Sequence, residues 1–497
     1  MDSSKCLDIE EYQKKSCKWS LNSKDNNPHR SLRNEVKKIY NNVTEFIGNT
    51  PMIKLNKIPK KEGIKCEILA KCEFYNPGGS TKDRIGLRMI QELELSGKIN
   101  EETTLIEATS GNTGIGLAMV GASKGYKVNI TLPEKMSQEK SDVLNALGAK
   151  IYRTPTEAPF DTHESHIGVA IKLNNEIKNS CIPDQYINTG NALSHYDGTA
   201  EEIWEQCDGK LDYVIISAGT GGTLTGIGRK LKEKNPDIKI IGVDPKGSIL
   251  ALPDDLNIEN LGKSYKVEGT GYDFIPKNCD REIADKWIKT GDKETFYYAR
   301  RLIKEEGLLV GGSSGSVMYA ALQIAKDLPE DKRVVCVFVD SVRNYMTKFL
   351  NDDWMIENKF ISQDEIDKDL KAVGGDDEIK KYLNKFTLVT PVKDTTTVSE
   401  VLNLLNEKNQ CLPVINSEGE IYGIITLKIV KSKLLNLLCK KESPIKKIMQ
   451  KDPKSLDSSQ PTKYLSKAFL RHDFVIITDE KSVYISKCED LTDLLSL

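Results

Sequence analysis

A lysine before a helical pattern is the residue of this sequence best suited to do chemistry. Lys82 lies in the segment 76–84, Asn-Pro-Gly-Gly-Ser-Thr-Lys-Asp-Arg, between the apolar run 68–70 and the helical pattern 85–95. The glycines allow a tight turn, and Ser80 is of a type that caps helices. An amine near the positive end of a helix dipole has its pKa biased downward, which suits a nucleophile that attacks an aldehyde. Alone, the segment is more typical of a capped surface lysine.

Three further loops rich in glycine and hydroxyl groups favour a functional site. They are residues 109–114, 219–223 and 311–316, after predicted strands at 104–106, 213–216 and 307–310. A strand, such a loop and a helix together form an arrangement that cradles anions. The loop Gly-Thr-Gly-Gly-Thr has no lysine after its last glycine and is therefore no Walker motif. Its two threonines suit a monophosphate, and four loops at successive strand ends predict a cofactor site.

The composition is that of a large soluble protein. With 497 residues, of which 38% are hydrophobic and 29% charged, the chain can bury more than one core. A net charge of −2 argues against nucleic acid as the main partner. Because no apolar run approaches the length of a membrane span and the N-terminus is polar, neither a membrane helix nor a signal peptide is expected. The eleven cysteines lack framework spacing, which indicates a reducing compartment and predicts a cytoplasmic location.

Four segments are predicted along the chain. Residues 1–40 are a polar extension, and residues 356–383 are a charged linker. Residues 41–355 alternate short β-branched runs with helical patterns, which predicts an α/β core with parallel strands wrapped by helices. In such a core, ligands bind at the carboxyl ends of the strands. Residues 384–497 contain the pattern helix, strand, turn, strand, helix twice.

The four loops, in this order, resemble those of fold-type II enzymes that use pyridoxal 5′-phosphate (PLP). The stretches 73–80, 133–137, 269–276 and 340–347 narrow the resemblance to the cystathionine β-synthase family. The match runs from about residue 44 to 354, and bacterial cysteine synthases resemble the last two stretches less closely. The repeated C-terminal pattern resembles a tandem pair of CBS modules. The implied architecture is a fold-type II core with parallel sheets, followed by an α+β domain of two CBS modules.

The resemblance implies how a cofactor would be held. Lys82 is expected to hold PLP covalently and to move the α-proton of the substrate. Asn112 is expected to face the ring's phenolic oxygen, and Ser313 its pyridine nitrogen. Because a neutral hydroxyl cannot keep that nitrogen protonated, the ring is a weaker electron sink, which disfavours transamination. The phosphate is expected to bind to Gly219, Thr220, Gly221, Gly222 and Thr223.

The resemblance also implies a substrate site and a reaction. The expected substrate contacts are Thr109, Ser110, Gly111, Asn112, Thr113, Tyr186, Gly269, Gly271 and Tyr272. Glu268 belongs to the stretch that closes over the second substrate, and packing at the edge of the core is the alternative role for both tyrosines. The implied reaction is a β-replacement in cysteine biosynthesis, in which a homodimer condenses L-serine with L-homocysteine to L-cystathionine and water, with hydrogen sulfide-producing side reactions.

Two other functions stay open at this point. One is another enzyme of the same fold, either a cysteine synthase or a serine dehydratase. The other is a heme-based or nucleoside-sensing regulator with an inactive PLP core. The intact set of Lys82, Asn112, Thr223 and Ser313 weakens the regulator hypothesis.

A second implied cofactor concerns the N-terminal extension. The pair Cys17 and His29 resembles the heme-binding extension of animal cystathionine β-synthases, where a thiolate and an imidazole hold the iron. Heme b is therefore expected on these two residues, with Arg229 beside the thiolate. The six residues from Thr223 to Arg229 would join heme and phosphate by roughly 9 Å of helix. Vertebrate members carry a Cys-x-x-Cys after this helix, whereas residues 234–237 read Lys-Asn-Pro-Asp.

The C-terminal modules are not expected to bind S-adenosylmethionine tightly. Modules that bind adenosyl ligands place a Thr or Ser three residues before an Asp that holds the ribose. The first module has Thr426, but Ile429 lies three residues later, where the Asp would be. The second offers Asp490 or Asp493 without a Thr or Ser three residues before either. The alternative is a structural module, or one that positions a dimer.

Overall fold

The computed structural model shows one six-stranded sheet and three four-stranded sheets. It describes residues 39–109, 111–134, 136–155, 162–362, 377–406, 409–435, 439–451, 453–469, 472–487 and 490. The strands are β1 (Met52–Lys54), β2 (Glu67–Cys72), β3 (Thr104–Ala108), β4 (Lys127–Pro133), β5 (Lys150–Thr154), β6 (Ser180–Cys181), β7 (Tyr213–Ser217), β8 (Lys239–Pro245), β9 (Lys286–Thr290), β10 (Arg333–Phe338), β11 (Thr387–Val389), β12 (Val392–Lys393), β13 (Cys411–Ile415), β14 (Ile421–Thr426), β15 (Gln450–Lys451), β16 (Ser455–Asp457), β17 (Phe474–Asp479) and β18 (Ser482–Lys487).

Helices connect these strands. They are α1 (Lys57–Lys61), α2 (Lys82–Leu95), α3 (Asn112–Lys124), α4 (Gln138–Ala146), α5 (His166–Glu176), α6 (Gly190–Ser194), α7 (Ala200–Gln206), α8 (Gly222–Lys234), α9 (Asp255–Ile258), α10 (Asp292–Glu306), α11 (Gly312–Ala325), α12 (Asp352–Glu357), α13 (Val398–Leu404), α14 (Leu427–Leu435) and α15 (Thr462–Phe469). A π-helical turn, His195–Thr199, joins α6 to α7. None of the described helices has the length and apolar character that a bilayer crossing requires.

The six-stranded sheet and the four-stranded sheet formed by β3 to β6 confirm the predicted α/β fold. One has the order β1-β2-β10-β7-β8-β9, with β1 antiparallel and the others parallel. The other, β5-β4-β3-β6, is parallel throughout. Parallel strands require crossover connections, so helices cover both faces and the strands become continuous apolar runs. β10 illustrates this, because all of its residues after Arg333 are buried.

Glycines bring the two helices of the predicted site into contact. A Cβ at Gly86 would lie 2.8 Å from the Gly116 carbonyl carbon, and one at Gly116 would lie 2.6 Å from the Lys82 carbonyl oxygen. No side chain fits between these backbones, so α2 and α3 approach as closely as two helices can. This contact fixes Lys82 beside the first turn of α3.

The strand predicted at residues 307–310 is wrong. The segment is extended, but it forms only an isolated bridge between Val310 and Ser341. Gly307 ends α10 in the left-handed conformation, and the Val310 N–H donates to the nearby Leu308 carbonyl. This local turn uses the donor that a strand ladder would need. The fourth loop therefore joins two helices directly.

The C-terminal part contains the predicted repeat. Two four-stranded sheets, β12-β13-β14-β15 and β11-β18-β17-β16, each carry a helix in the expected order. Ile476 and Ile485 of the second sheet pack into the apolar cluster of the first. Ile379, within the predicted linker, is buried in the cluster of the second module. The segment limits stay predictions, and most of residues 1–40 lie outside the described residues.

Candidate active site

Lys82 lines a small cavity. Ser80 contributes at the helix start as predicted, because its hydroxyl accepts the Lys82 backbone N–H at 3.2 Å, although Thr81 occupies the cap position. Burial lowers the pKa of the Lys82 amine, while Asp340 and Glu73 act in the opposite direction. The pKa of Lys82 is therefore lowered, as predicted, but the leading cause is burial rather than the helix dipole.

The cavity brings together residues from distant parts of the chain. It is lined by Thr81, Lys82, Asn112, Thr113, Gln185, Thr220, Gly269, Tyr272, Ser313, Val339 and Asp340. Seven of these are predicted site residues. Of the remaining expected contacts, Ser110 lies outside the described residues. The backbones of Gly219 and Gly269 lie side by side, since a Cβ on Gly219 would lie 2.8 Å from the Gly269 carbonyl oxygen. Gly271 is held there too, because its N–H donates to the Ala218 carbonyl.

Asp340 was missed by the sequence analysis as a site residue. It follows β10 and accepts hydrogen bonds from the side-chain amide of Asn112, at 2.8 Å, and from the hydroxyl of Tyr345. Burial raises the pKa of Asp340. Asn344 donates to the Asn112 side-chain oxygen at 3.0 Å. Asn112, which was expected to face a cofactor oxygen, is thus held on both sides by the stretch that follows β10.

The loop Gly219–Gly222 has no space for larger side chains at its centre. Gly221 has a φ of +85°, and a Cβ there would lie 2.3 Å from Cys279. A Cβ on Gly222 would lie 2.0 Å from the side-chain oxygen of Asn191. The loop begins the thirteen-residue helix α8, whose first N–H groups lack helical partners. Glycine backbone, helix N-terminus and the hydroxyls of Thr220 and Thr223 fit a phosphate group.

Three aromatic side chains pack together beside the cavity, and one of them, Tyr272, lines it. The ring centroids of Tyr186, Tyr272 and Phe274 lie 5.1 to 5.5 Å apart. The hydroxyls of Tyr186 and Tyr272 are 3.4 Å apart, and His166 Nε2 lies 3.4 Å from the Tyr186 hydroxyl. Burial raises the pKa of Tyr272 to about 12, so its hydroxyl stays protonated at neutral pH. The two predicted tyrosines are therefore neighbours.

A buried carboxylate supports the segment that carries Tyr186. The two oxygens of Glu107 accept the backbone N–H groups of Asp184, at 2.9 Å, and Gln185, at 3.0 Å. The Gln185 side chain accepts the Thr113 hydroxyl at 2.6 Å. Neither Glu107 nor Gln185 was expected at the site. The only sequence feature that could have indicated this support is Glu107 itself, a glutamate inside an otherwise apolar strand.

Glu268 lies between two lysines. It pairs with Lys140 at 2.7 Å and also with Lys348. Burial alone would raise the pKa of the Glu268 carboxyl, but the two ammonium groups outweigh it and hold that pKa below its ordinary value. The Lys140 chain covers Gly111, where a Cβ would lie 2.4 Å from Lys140 Cδ. This cluster therefore connects the expected closing stretch to the start of α3.

The residues expected to bind heme are described only in part. Cys17 and His29 lie outside the described residues. Arg229, on α8, pairs with Asp280 at 2.7 Å and is more than half exposed. The described residues contain no group of three or more His, Cys, Asp or Glu side chains placed to hold a metal ion.

The C-terminal modules use their candidate ligand groups locally. The Thr426 hydroxyl accepts the backbone N–H of Ile429 at 3.2 Å. The Asp490 carboxylate accepts the backbone N–H of Lys487 at 2.7 Å. Asp493 lies outside the described residues.

Comparisons with known proteins agree with this geometry. Residues 43–340 match the family described as "Pyridoxal-phosphate dependent enzyme", and residues 389–436 match the CBS domain. A cystathionine beta-synthase of Dictyostelium discoideum is 50% identical, with 96% of this chain and 97% of that protein covered. The Mus musculus cystathionine beta-synthase is 48% identical, with 94% and 82% covered. The crystal structure of a hydrogen sulfide-producing enzyme from Fusobacterium nucleatum has a TM-score of 0.58 at 38% identity, with 62% of this chain and all of that chain covered.

Proposed function

This chain belongs to the cystathionine β-synthase family of PLP-dependent enzymes, and we propose that it condenses L-serine with L-homocysteine to L-cystathionine and water. The observation that carries the proposal is the cavity in which Lys82 meets Asn112, Thr220 and Ser313. An amine of lowered pKa lies there between an anion-binding loop and a neutral hydroxyl. This combination suits β-replacement.

The proposed cofactor is PLP, which when bound withdraws electrons from the α-carbon of an amino acid. Lys82 would hold it covalently, and the loop Gly219–Thr223 would bind its phosphate. Asn112 would face the phenolic oxygen and Ser313 the pyridine nitrogen. Each of these positions lies at or directly beside the cavity, and burial of Thr220, Thr223 and Ser313 excludes water from the contacts.

The side chains of the site divide the remaining work. The Lys82 amine, freed when the amine of the substrate replaces it on the cofactor, would take the α-proton and return it to the product. The turn that begins α3, with Thr109, Gly111 and Thr113, binds the substrate carboxylate through hydroxyl and N–H groups. The Thr109 hydroxyl already accepts the Gly111 N–H at 3.0 Å. Tyr186, Gly269, Gly271 and Tyr272 enclose the second substrate, whose thiol replaces the serine hydroxyl.

The proposal extends to heme b, bound by Cys17 and His29. Arg229 supports it, because this arginine lies on α8, six residues after Thr223. Its present partner is Asp280, so a thiolate at this position would compete with that carboxylate. We further propose a cytoplasmic homodimer in cysteine biosynthesis.

A single assay tests the reaction. The purified protein is incubated with PLP, serine and homocysteine, and the products are identified by mass. We expect cystathionine. Pyruvate in its place would indicate a dehydratase, and cysteine formed only in a parallel sample with added sulfide would indicate a cysteine synthase. Hydrogen sulfide is measured in parallel, since the matched Fusobacterium structure is that of a hydrogen sulfide-producing enzyme.

A further inference from the structure

Two buried side chains on one helical face contact the two threonines of the loop that begins α8. Asn191 Nδ2 lies 2.9 Å from the Thr220 hydroxyl oxygen, and His195 Nε2 lies 3.1 Å from that of Thr223. Asn191 and His195 are four residues apart across α6 and the π-helical turn, so they share a face. Among the described residues, neither threonine forms another side-chain hydrogen bond.

Asn191 can act only as a donor toward Thr220. The same Nδ2 atom donates to the Gln185 backbone carbonyl at 2.7 Å, which fixes which end of the amide carries the hydrogens. The second hydrogen then points to Thr220. Since the hydroxyl oxygen accepts this bond, the Thr220 proton is left to be donated elsewhere.

The contacts of His195 allow this residue the same role toward Thr223. Its side chain is fully buried, and burial lowers its pKa to about 3, so the ring is neutral at physiological pH. A neutral imidazole has one donor and one acceptor nitrogen. His195 Nδ1 lies 2.9 Å from the Thr199 hydroxyl, which can donate to it. With Thr199 as the donor to Nδ1, Nε2 carries the hydrogen and donates to Thr223, and this is the tautomer that the inference requires.

We infer that Asn191 and His195 are positioning residues that turn the hydroxyls of Thr220 and Thr223 into hydrogen-bond donors for the phosphate of PLP. A phosphate oxygen only accepts, so each threonine must present its proton. A hydroxyl without a fixed donor behind it rotates freely, and part of its binding free energy is lost to ordering. This inference rests on the proposed function, because it requires that the loop binds the phosphate.

The first test compares PLP with pyridoxal, which lacks the phosphate. The full chain is stripped of cofactor with hydroxylamine and titrated with each compound. For His195→Phe we expect PLP affinity to fall about tenfold, as for the loss of one oriented hydrogen bond to a charged group, and pyridoxal affinity to stay unchanged. His195→Gln, whose amide can donate to Thr223, should restore part of the difference.

Thr225→Val is the matched control. Thr225 lies on the same helix and is buried, but its hydroxyl donates to the Asn278 carbonyl at 2.7 Å. Its loss should change both affinities equally. An equal fall for both compounds in His195→Phe, or no fall, overturns the inference. If the unmodified protein binds neither compound at Lys82, the proposed function is wrong. If it binds both compounds there, the variants test only the role of Asn191 and His195.

The second test measures the tautomer of His195 directly. Histidine labelled with ¹⁵N reports the tautomer of each ring, and the chain has five histidines, so His195 is assigned from the signal that His195→Gln lacks. If that variant does not fold, the signal that titrates least with pH identifies the buried ring. We expect the Nε2–H form in the holoenzyme. The Nδ1–H form or a charged ring contradicts the inference.

Discussion

The side-chain amide of Asn112 donates a hydrogen bond of 2.8 Å to the carboxylate of Asp340. Asn112 follows β3 and Asp340 follows β10, so the contact joins the four-stranded sheet β5-β4-β3-β6 to the six-stranded sheet across the cavity. One oxygen, Asp340 Oδ2, accepts both this bond and that of Tyr345. Asp340 Oδ1 is buried and has no partner among the described residues. Asp340 thus sets the orientation of Asn112, the residue proposed to face the cofactor.

We expect Asp340→Ala to destabilise the protein and to reduce its activity. The change leaves the Asn112 amide and the Tyr345 hydroxyl without their acceptor, which costs about 1–3 kcal/mol for a buried donor. Loss of Asn112 orientation should lower kcat/KM by about tenfold or more. Urea unfolding and steady-state kinetics measure both effects. Asp197→Ala is the control, since Asp197 forms a half-exposed pair with Arg88. An Asp340→Ala protein with unchanged stability and activity would refute this role.

Glu107 should make stability depend on pH. Burial raises the pKa of Glu107 from its ordinary 4.5 to about 8, against the two backbone N–H groups that it accepts. The folded protein then holds a proton that the unfolded chain has released, so this group stabilises at low pH and loses that contribution as pH rises between these values. Glu107→Gln cannot titrate. We expect the stability of the unmodified protein relative to Glu107→Gln to fall from pH 4.5 to pH 8. A constant difference in unfolding free energy would disprove it.

Local sequence patterns predicted most of the fold. The β-branched runs around Val335 and Ile241 became central strands, because such runs suit strands buried on both faces. The segment 307–310 is also apolar, but it lies between two helices, where the Val310 N–H closes a turn. Composition does not distinguish these environments.

The loops of the site could be predicted, whereas its supporting polar residues could not. The roles of Lys82 and of the glycine loops are indicated by their residue types and their immediate neighbours in the sequence. Asp340, Glu107 and His195 act through contacts that only folding creates. Asp340, for example, meets Asn112 across 228 positions. A buried polar residue is informative only when its partner is known.

Cys17→Ser should remove the thiolate-type heme spectrum but leave part of the β-replacement activity. The reason is that Lys82 and its surrounding loops suffice for the proposed chemistry, while a thiolate ligand dominates the spectrum of its iron. The measurement is the absorption spectrum and iron content of protein expressed with heme available. Cys6→Ser, in the same extension, is the control and should retain the spectrum. Unmodified protein without iron would contradict the heme proposal.

S-adenosylmethionine should not strongly activate this enzyme. Ribose recognition in such modules relies on a carboxylate, and the loss of one charged acceptor costs about 1.5–3 kcal/mol, or about tenfold or more in affinity. Ile429 replaces it in the first module, and Asp490 already accepts the Lys487 N–H. Ile429→Asp should therefore strengthen binding. Activity and melting temperature are titrated with the ligand. Saturable activation of the unmodified enzyme at micromolar ligand would contradict this expectation.

The most direct test of the central claim is to locate the cofactor on the chain. The purified enzyme is reduced with borohydride, which fixes PLP to the amine that holds it, and is then digested and mapped by mass. We expect the reduced cofactor on Lys82, and we expect Lys82→Ala to fold, as judged by circular dichroism, yet to form no cystathionine. Cofactor on any other lysine, or an active Lys82→Ala enzyme, would contradict the account.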